Sequence, residues 1–398
     1  MVAADLAVRP ARWLAPLAPV LEWRAFVPHW GARMPCVLDL RQRRLVTSGR
    51  MAIGLALRAM GVQPGSRVLI PAYHSPSMVP PVRHLGARPE FYRVGADAAV
   101  DLDDLAARLP GASALMVTHY FGFPQQMGPI RALCDRHGVP LLEDCAHSLF
   151  GAHGGRPLGA WGDYAAASTM KFFPAFDGGC VASARHSLDQ MHLQSAGPLF
   201  EAKAAYGALE RSFEHGRLRA CALLLALPQR ALLALWRRRK RDLPAARQQL
   251  APAASENGFD YDPQWLDKRS AWFSRALLAL TSRRGLCRRR RRNYLLLEQA
   301  VRGLPGCRPL HAALPEQVVP WVFPLLVDDP EPVFERLQAA GVPLVRFGLP
   351  LGAAAGACAN ASSLAQRVLG LPCHQALSAQ ELDAIATALR GILAGMRP

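Results

Sequence analysis

Two kinds of hydrophobic pattern alternate along the chain. Short, mostly apolar runs at 66–72, 88–94, 112–120, 139–142 and 164–167 read as strands. Between them lie segments with helical spacing of apolar positions. One covers 51–61, behind the start signal Thr47-Ser48-Gly49-Arg50, and another covers 127–137. A third opens at Asp101-Leu102-Asp103-Asp104, whose acids suit the positive end of a helix. Strand and helix in alternation predict an α/β fold, a mostly parallel sheet with covering helices.

Beyond Ser183 the pattern changes. Residues 184–250 are helix-prone and rich in Ala, Leu and Arg, and 251–265 read as a linker. Helices are expected at 270–280, 283–301 and 331–340, with an apolar strand at 318–327. An apolar Leu-Pro turn precedes His374-Gln375. A closing helix then starts at Ser378, with Glu381 three positions on as a capping box. This divides the chain into a large domain, 1–250, and a smaller α+β domain, 251–398.

The chain has 398 residues, 51% of them hydrophobic, which is ample for a large core and for two domains. Its net charge of +17 suits nucleic acid, an anionic membrane surface or an acidic substrate, and does not choose among them. No run of about 18 apolar residues offers a membrane-spanning helix. The first apolar runs are broken by Pro, Arg and Glu, so no signal peptide is read. The nine cysteines show neither CxxC pairs nor metal-ligand spacing, which favours a reducing compartment and no metal site. A cytoplasmic protein is expected, and nucleic-acid binding is not.

Two basic stretches change this picture. From Cys221 to Arg241, two apolar halves flank Pro228-Gln229-Arg230, and Trp236 borders five consecutive cations. The stretch is either a helical hairpin over the site mouth or the partner subunit, or a peripheral anchor on an anionic membrane. The run Arg288 to Arg292 reads as a solvated helix face, or as a receiver of substrate phosphate.

The chemistry concentrates between Val139 and Ala182. Glu143 and Asp144 close a buried strand, where α/β sheets open their ligand crevice. Ser168, Lys171 and Asp177-Gly178-Gly179 follow. Lysine is scarce here, the others being Lys203, Lys240 and Lys268, so an isolated Lys171 in an apolar, Gly-flanked segment is unusual. An amine and a carboxylate brought to one cofactor are suggested, with Lys171 as Schiff-base former and Asp144 as partner of a ring nitrogen. The free N–H groups of the helix start at Gly49 and Arg50 suit a phosphate.

The ordered set EDCAH, GD, SxxK and DGG resembles the DegT/DnrJ/EryC1/StrS family of pyridoxal phosphate (PLP) enzymes, mostly sugar aminotransferases. The resemblance implies fold type I, a three-layer α/β/α large domain with a smaller C-terminal domain. It implies that Asp144 holds the pyridinium nitrogen, that His147 lies against the cofactor and that Lys171 carries it. Ser168 and the turn at Gly49 and Arg50 would bind its phosphate. Arg50 stands where the family often has Thr, and either adds charge-assisted bonds or points outward. The family also stacks an aromatic residue on the ring. A strict count places Ser75 there, and Tyr73 and His74 are the neighbouring candidates.

The implied function is amino transfer from an amino acid donor such as glutamate to a keto sugar, commonly nucleotide-linked, by a homodimer with active sites at its interface. The family's Gly-x-Asn-x-Arg segment is not recognisable. Two alternatives stay open. One is PLP chemistry without amino transfer, such as deoxysugar dehydration, although members doing that replace the lysine with histidine. The other is a non-catalytic binding or regulatory protein on the same fold.

Overall fold

The main sheet has seven strands in the order β1-β9-β8-β5-β4-β2-β3 in a computed structural model that describes residues 15–31, 33–225, 251 and 258–395. The strands are β1 (Gln42–Val46), β2 (Arg67–Pro71), β3 (Arg88–Tyr92), β4 (Ala114–Thr118), β5 (Leu141–Asp144), β8 (Tyr164–Ala167) and β9 (Gly179–Ser183). A small hairpin, β6 (Ala152–His153) with β7 (Arg156–Pro157), lies outside it. From β8 through β5, β4 and β2 to β3 every pairing is parallel, whereas β9 and β1 add antiparallel to the β8 edge.

The uniform apolar runs are explained by burial of both sheet faces. Side chains alternate along a strand. Val68, Ile70, Ala114, Met116 and Leu142 enter one core, shared with Met51 to Leu57 of α1 (Gly49–Ala59). Leu69, Leu115, Val117 and Leu141 enter the other. Each such side chain contributes about 1.5–3 kcal/mol when fully buried. Helices on both faces make three layers, as the sequence implies.

The first core also takes Phe200 and Ala204 from α5 (Pro198–Glu214) and Leu277 from α6 (Trp272–Leu280). The second runs on without a break through α4 (Met127–His137) and α7 (Arg283–Val301) to a three-stranded antiparallel sheet, β10 (Cys307–Pro309), β11 (Val322–Val327) and β12 (Val368–Pro372). Helices α2 (Val79–His84), α3 (Leu102–Arg108), α8 (Pro330–Ala339) and α9 (Ala359–Arg367) complete the described elements with α10 (Ala379–Ala394).

Helix ends follow the chemistry read from sequence. Asp101 caps α3 by accepting from the Asp104 N–H at 3.0 Å, and Gly138 closes α4 in the left-handed region. Ser378 and Glu381 form the capping box of α10.

Three expectations are corrected. Strand β1 lies ahead of 66–72, the first run read as a strand. It is a polar edge strand in which only Leu45 and Val46 are apolar, so no run announces it. The strand expected over 318–327 begins at Val322, because Val318 bridges Gly151 and the Trp321 N–H donates to the Phe121 carbonyl at 2.8 Å. Residues 368–372, read as leading into a turn, pair with β11 as β12.

Candidate active site

Strand β5 sits in mid-sheet and ends in two carboxylates whose side chains face opposite ways. Glu143 is fully buried and accepts from the N–H groups of Gly159, Trp161 and Gly162 at 2.6–2.9 Å, and from His119 Nε2 at 3.0 Å. His119 Nδ1 accepts from the Gln125 N–H at 3.1 Å, so its proton lies on Nε2. Glu143 therefore ties the 159–162 loop to the sheet. With His119 and Cys145 it forms a group whose donor atoms lie within 4.8 Å of one another, but the Glu143 and His119 atoms are engaged in these bonds.

Asp144 points the other way. It accepts from the Ala146 N–H at 3.0 Å and from the Thr118 hydroxyl at 3.2 Å. Burial raises its pKa, while the Ala146 N–H and the charge of Lys171 pull it back. Lys171 follows β8 in a single 3-10 turn. Burial brings its ammonium down to about 8; Asp144 opposes this and Arg50 adds to it. His147, in the turn after β5, is held well below its ordinary pKa, first by burial and then by Lys171. Its Nδ1 faces the Phe121 N–H at 3.5 Å. Asp144, His147, Lys171 and Arg50 thus share one electrostatic field at the carboxyl ends of the strands.

A seat for an anion adjoins them. Ser48 caps α1, accepting from the Met51 N–H at 3.4 Å, which leaves the first-turn N–H groups of Gly49 and Arg50 without intrahelical partners. Ser168 lies alongside: a Cβ on Gly49 would come 3.4 Å from the Ser168 Cβ. Ser168 makes no capping bond to its own turn, and the buried hydroxyl of Thr47, the residue before the cap, has no partner among the described residues.

The Asp-Gly-Gly motif makes this approach feasible. A Cβ on Gly179 would stand 2.2 Å from the Ser48 carbonyl oxygen, and Gly178 takes a φ of 150°. Asp177 anchors the motif, accepting from the Ser274 hydroxyl and the Ala271 N–H of the α6 start, and burial raises its pKa to about 6.

Arg50 points inward, not outward: it is 8% exposed and donates to the carbonyls of Gly258 and Asp260. Burial brings its pKa down to about 10. The two aromatic candidates are both buried. Tyr73 is wholly buried against Tyr120 and Phe347, with ring centroids 5.0 Å away in each case. His74 stacks on Phe91 and bonds the Ala72 carbonyl at 3.0 Å through Nδ1.

Two residues at the site were not anticipated. Arg290, from the run read as a solvated face, is fully buried. It donates to the carbonyls of Lys171 (2.8 Å), Pro320 (3.1 Å) and Trp321 (3.0 Å) and to Gln375 Oε1 (2.9 Å). Leu286, Asn293, Tyr294 and Leu297 are buried on the same helix face, and that spacing singles out position 290 in a row of arginines. Trp321 places its ring 4.4 Å from Lys171 Nζ and stacks on His147 at 3.8 Å. No sequence signal marked it.

PLP needs an amine for its carbonyl, a carboxylate for its ring nitrogen and a seat for its phosphate. Lys171, Asp144 and the free N–H groups of the Gly49–Ser168 seat offer one group for each, so the donor set fits the cofactor.

Comparison with known proteins agrees. The family model for DegT/DnrJ/EryC1/StrS aminotransferases matches residues 44–288. The chain is 31% identical over 138 residues to a GDP-perosamine synthase of Vibrio cholerae, covering 34% of this chain and 37% of that protein. It is 33% identical over 159 residues to a UDP-N-acetyl-3-dehydro-alpha-D-glucosamine 3-aminotransferase of Acidithiobacillus ferrooxidans, covering 36% and 40% respectively. These alignments therefore span about two fifths of each relative's length. The fold matches that of the aminotransferase TlmJ from Streptoalloteichus hindustanus with a TM-score of 0.60 at 21% identity, over 89% of this chain and 87% of that one. By the family model's match, the chain belongs to the DegT/DnrJ/EryC1/StrS aminotransferase family.

Proposed function

We propose that this protein is a PLP-dependent aminotransferase that moves an amino group from an amino acid, glutamate by preference, to a keto sugar, commonly nucleotide-linked, in surface-glycan synthesis. The observation that carries the reading is the shared field of Lys171 and Asp144 beside the Gly49–Ser168 seat. Bound PLP supplies a carbonyl for the amine and a ring that takes up electron density from the donor's α-carbon.

The chain's own residues do the rest. Lys171, with a pKa of about 8, is substantially neutral in mildly alkaline solution, so its Nζ would serve as the amine for the carbonyl of bound PLP and as the group that moves a proton at the donor's α-carbon. Asp144 keeps a proton on the ring nitrogen by a charge-assisted bond. The Gly49 and Arg50 N–H groups with Ser168 would hold the phosphate. His147, neutral at physiological pH, walls the site without adding charge.

The names of the two curated relatives support a sugar acceptor. Lys171 stands against the dehydration alternative, and the intact donor set stands against a non-catalytic role. The division near residue 250 is kept as part of this reading.

Assembly as a homodimer is supported by large exposed side chains, with Trp30 at 91% and Trp23 and Trp272 at 64% exposure. No described helix is long and apolar enough to cross a membrane. Most of the stretch from Cys221 to Arg241 lies outside the described residues. Its described start exposes Leu223 and Leu224, which suits either a partner subunit or peripheral contact with an anionic membrane of a cytoplasmic protein.

The test is the visible spectrum of PLP-loaded protein before and after L-glutamate. The reading expects the absorbance of the lysine-bound cofactor to be lost on adding the donor and restored by a keto sugar. A spectrum that glutamate and other amino acid donors leave unchanged refutes amino transfer.

A further inference from the structure

We propose that Trp321 is a positioning residue for the Lys171 amine, its indole face holding the ammonium where Asp144 and the Gly49 turn can use it. The proposal rests on the reading of Lys171 as the cofactor lysine. The ring is fixed independently of the amine. The Trp321 N–H donates to the Phe121 carbonyl at 2.8 Å, and its carbonyl accepts from Arg290 at 3.0 Å. The indole lies on His147, centroids 3.8 Å apart and 23° from parallel. Arg290 also donates to the Lys171 carbonyl at 2.8 Å, so one guanidinium ties both backbones together. Over this preset face Lys171 Nζ stands 4.4 Å from the ring centroid.

A cation within about 6 Å of an indole face is drawn to the ring quadrupole, more so when sheltered from water. The groups that act on Lys171 are few. Asp144 from β5 attracts it, Arg50 from α1 repels it, and His147 is kept neutral. Asp144 already accepts from Thr118 and Ala146. The indole is therefore the second attraction in the site. An apolar wall would merely exclude water and disfavour the charge, whereas a π face favours it. The acid–base behaviour of the amine separates the two roles.

The test labels the full chain, without added cofactor, with acetic anhydride across a pH series and quantifies the Lys171 peptide by mass spectrometry. Trp321→Phe keeps an aromatic face, and Trp321→Leu keeps apolar cover without one. The labelling midpoint is expected to stay near wild type in the Phe variant and to fall by about 0.5 to 1 unit in the Leu variant. Trp321→Met serves the same comparison if the Leu variant does not fold. Equal midpoints in the Phe and Leu variants, or a rise in the Leu variant, overturn the proposal. Failure of the cofactor-lysine reading shows separately, as a borohydride-trapped PLP label away from Lys171 whatever these midpoints are.

Discussion

Arg290 donates to the backbone carbonyl of Lys171 at 2.8 Å across 119 positions of sequence. Among the described residues, no carboxylate bonds to this fully buried guanidinium. Carbonyl oxygens, the Gln375 amide and the face of Phe172, 4.5 Å away, satisfy it instead. Burial brings its pKa down to about 10, which still leaves it charged at neutral pH. Through it the C-terminal part of the chain holds the segment that carries the reactive amine.

Replacing Arg290 with Met is predicted to destabilise the protein by about 3 kcal/mol, because several buried acceptors lose their donor at once. Urea unfolding followed by circular dichroism measures this. Arg290→Lys recovers only part of the loss, since one ammonium cannot span the acceptors that the planar guanidinium reaches. A stability change within about 0.5 kcal/mol for both variants contradicts the clamp.

Much of this architecture is legible in the sequence, for physical reasons that also explain the misses. Strands β4 and β5 bury both faces and so read as unbroken apolar runs. Ser378 and Glu381 announce α10 because capping is local chemistry. Edge strand β1 carries Arg43 and Arg44 and leaves no such mark. Lys171 and Asp144 stood out by motif, whereas Trp321 reaches the site through a departure from the sheet just before β11 that no local pattern encodes.

Asp144→Asn keeps the shape of the side chain and removes its charge. Turnover is predicted to fall by about 100-fold or more, with PLP still bound through its phosphate seat. The negative charge raises the pKa of Lys171, so its removal moves the lysine labelling midpoint downward, below about 8. An unchanged midpoint, or near-normal turnover, contradicts the assignment.

Gly179→Ala places a methyl group 2.2 Å from the Ser48 carbonyl oxygen and 2.7 Å from the Gly49 nitrogen. The turn must shift, and PLP affinity measured by absorbance titration is predicted to weaken about tenfold or more. Wild-type affinity in this variant would show that the seat is elsewhere.

Asp177 gives a pH signature. Its folded pKa, about 6, lies above the unfolded value of 3.8. The folded state therefore holds a proton between these values that the unfolded state has released. The associated stability is fully present below pH 3.8 and is lost as pH rises through about 6. Relative to Asp177→Asn, the wild type is predicted to lose about 2 kcal/mol of unfolding free energy between pH 4 and 7. A pH-independent difference between the two proteins contradicts this.

The central claim is that Lys171 is the residue that carries the cofactor. Reduction of the PLP-loaded protein with borohydride, then proteolysis and mass spectrometry, tests it most directly. The account predicts one pyridoxyl group per chain, on Lys171, and none in Lys171→Ala. A label on Lys203, Lys240 or Lys268, or no label in protein that has visibly bound PLP, contradicts it.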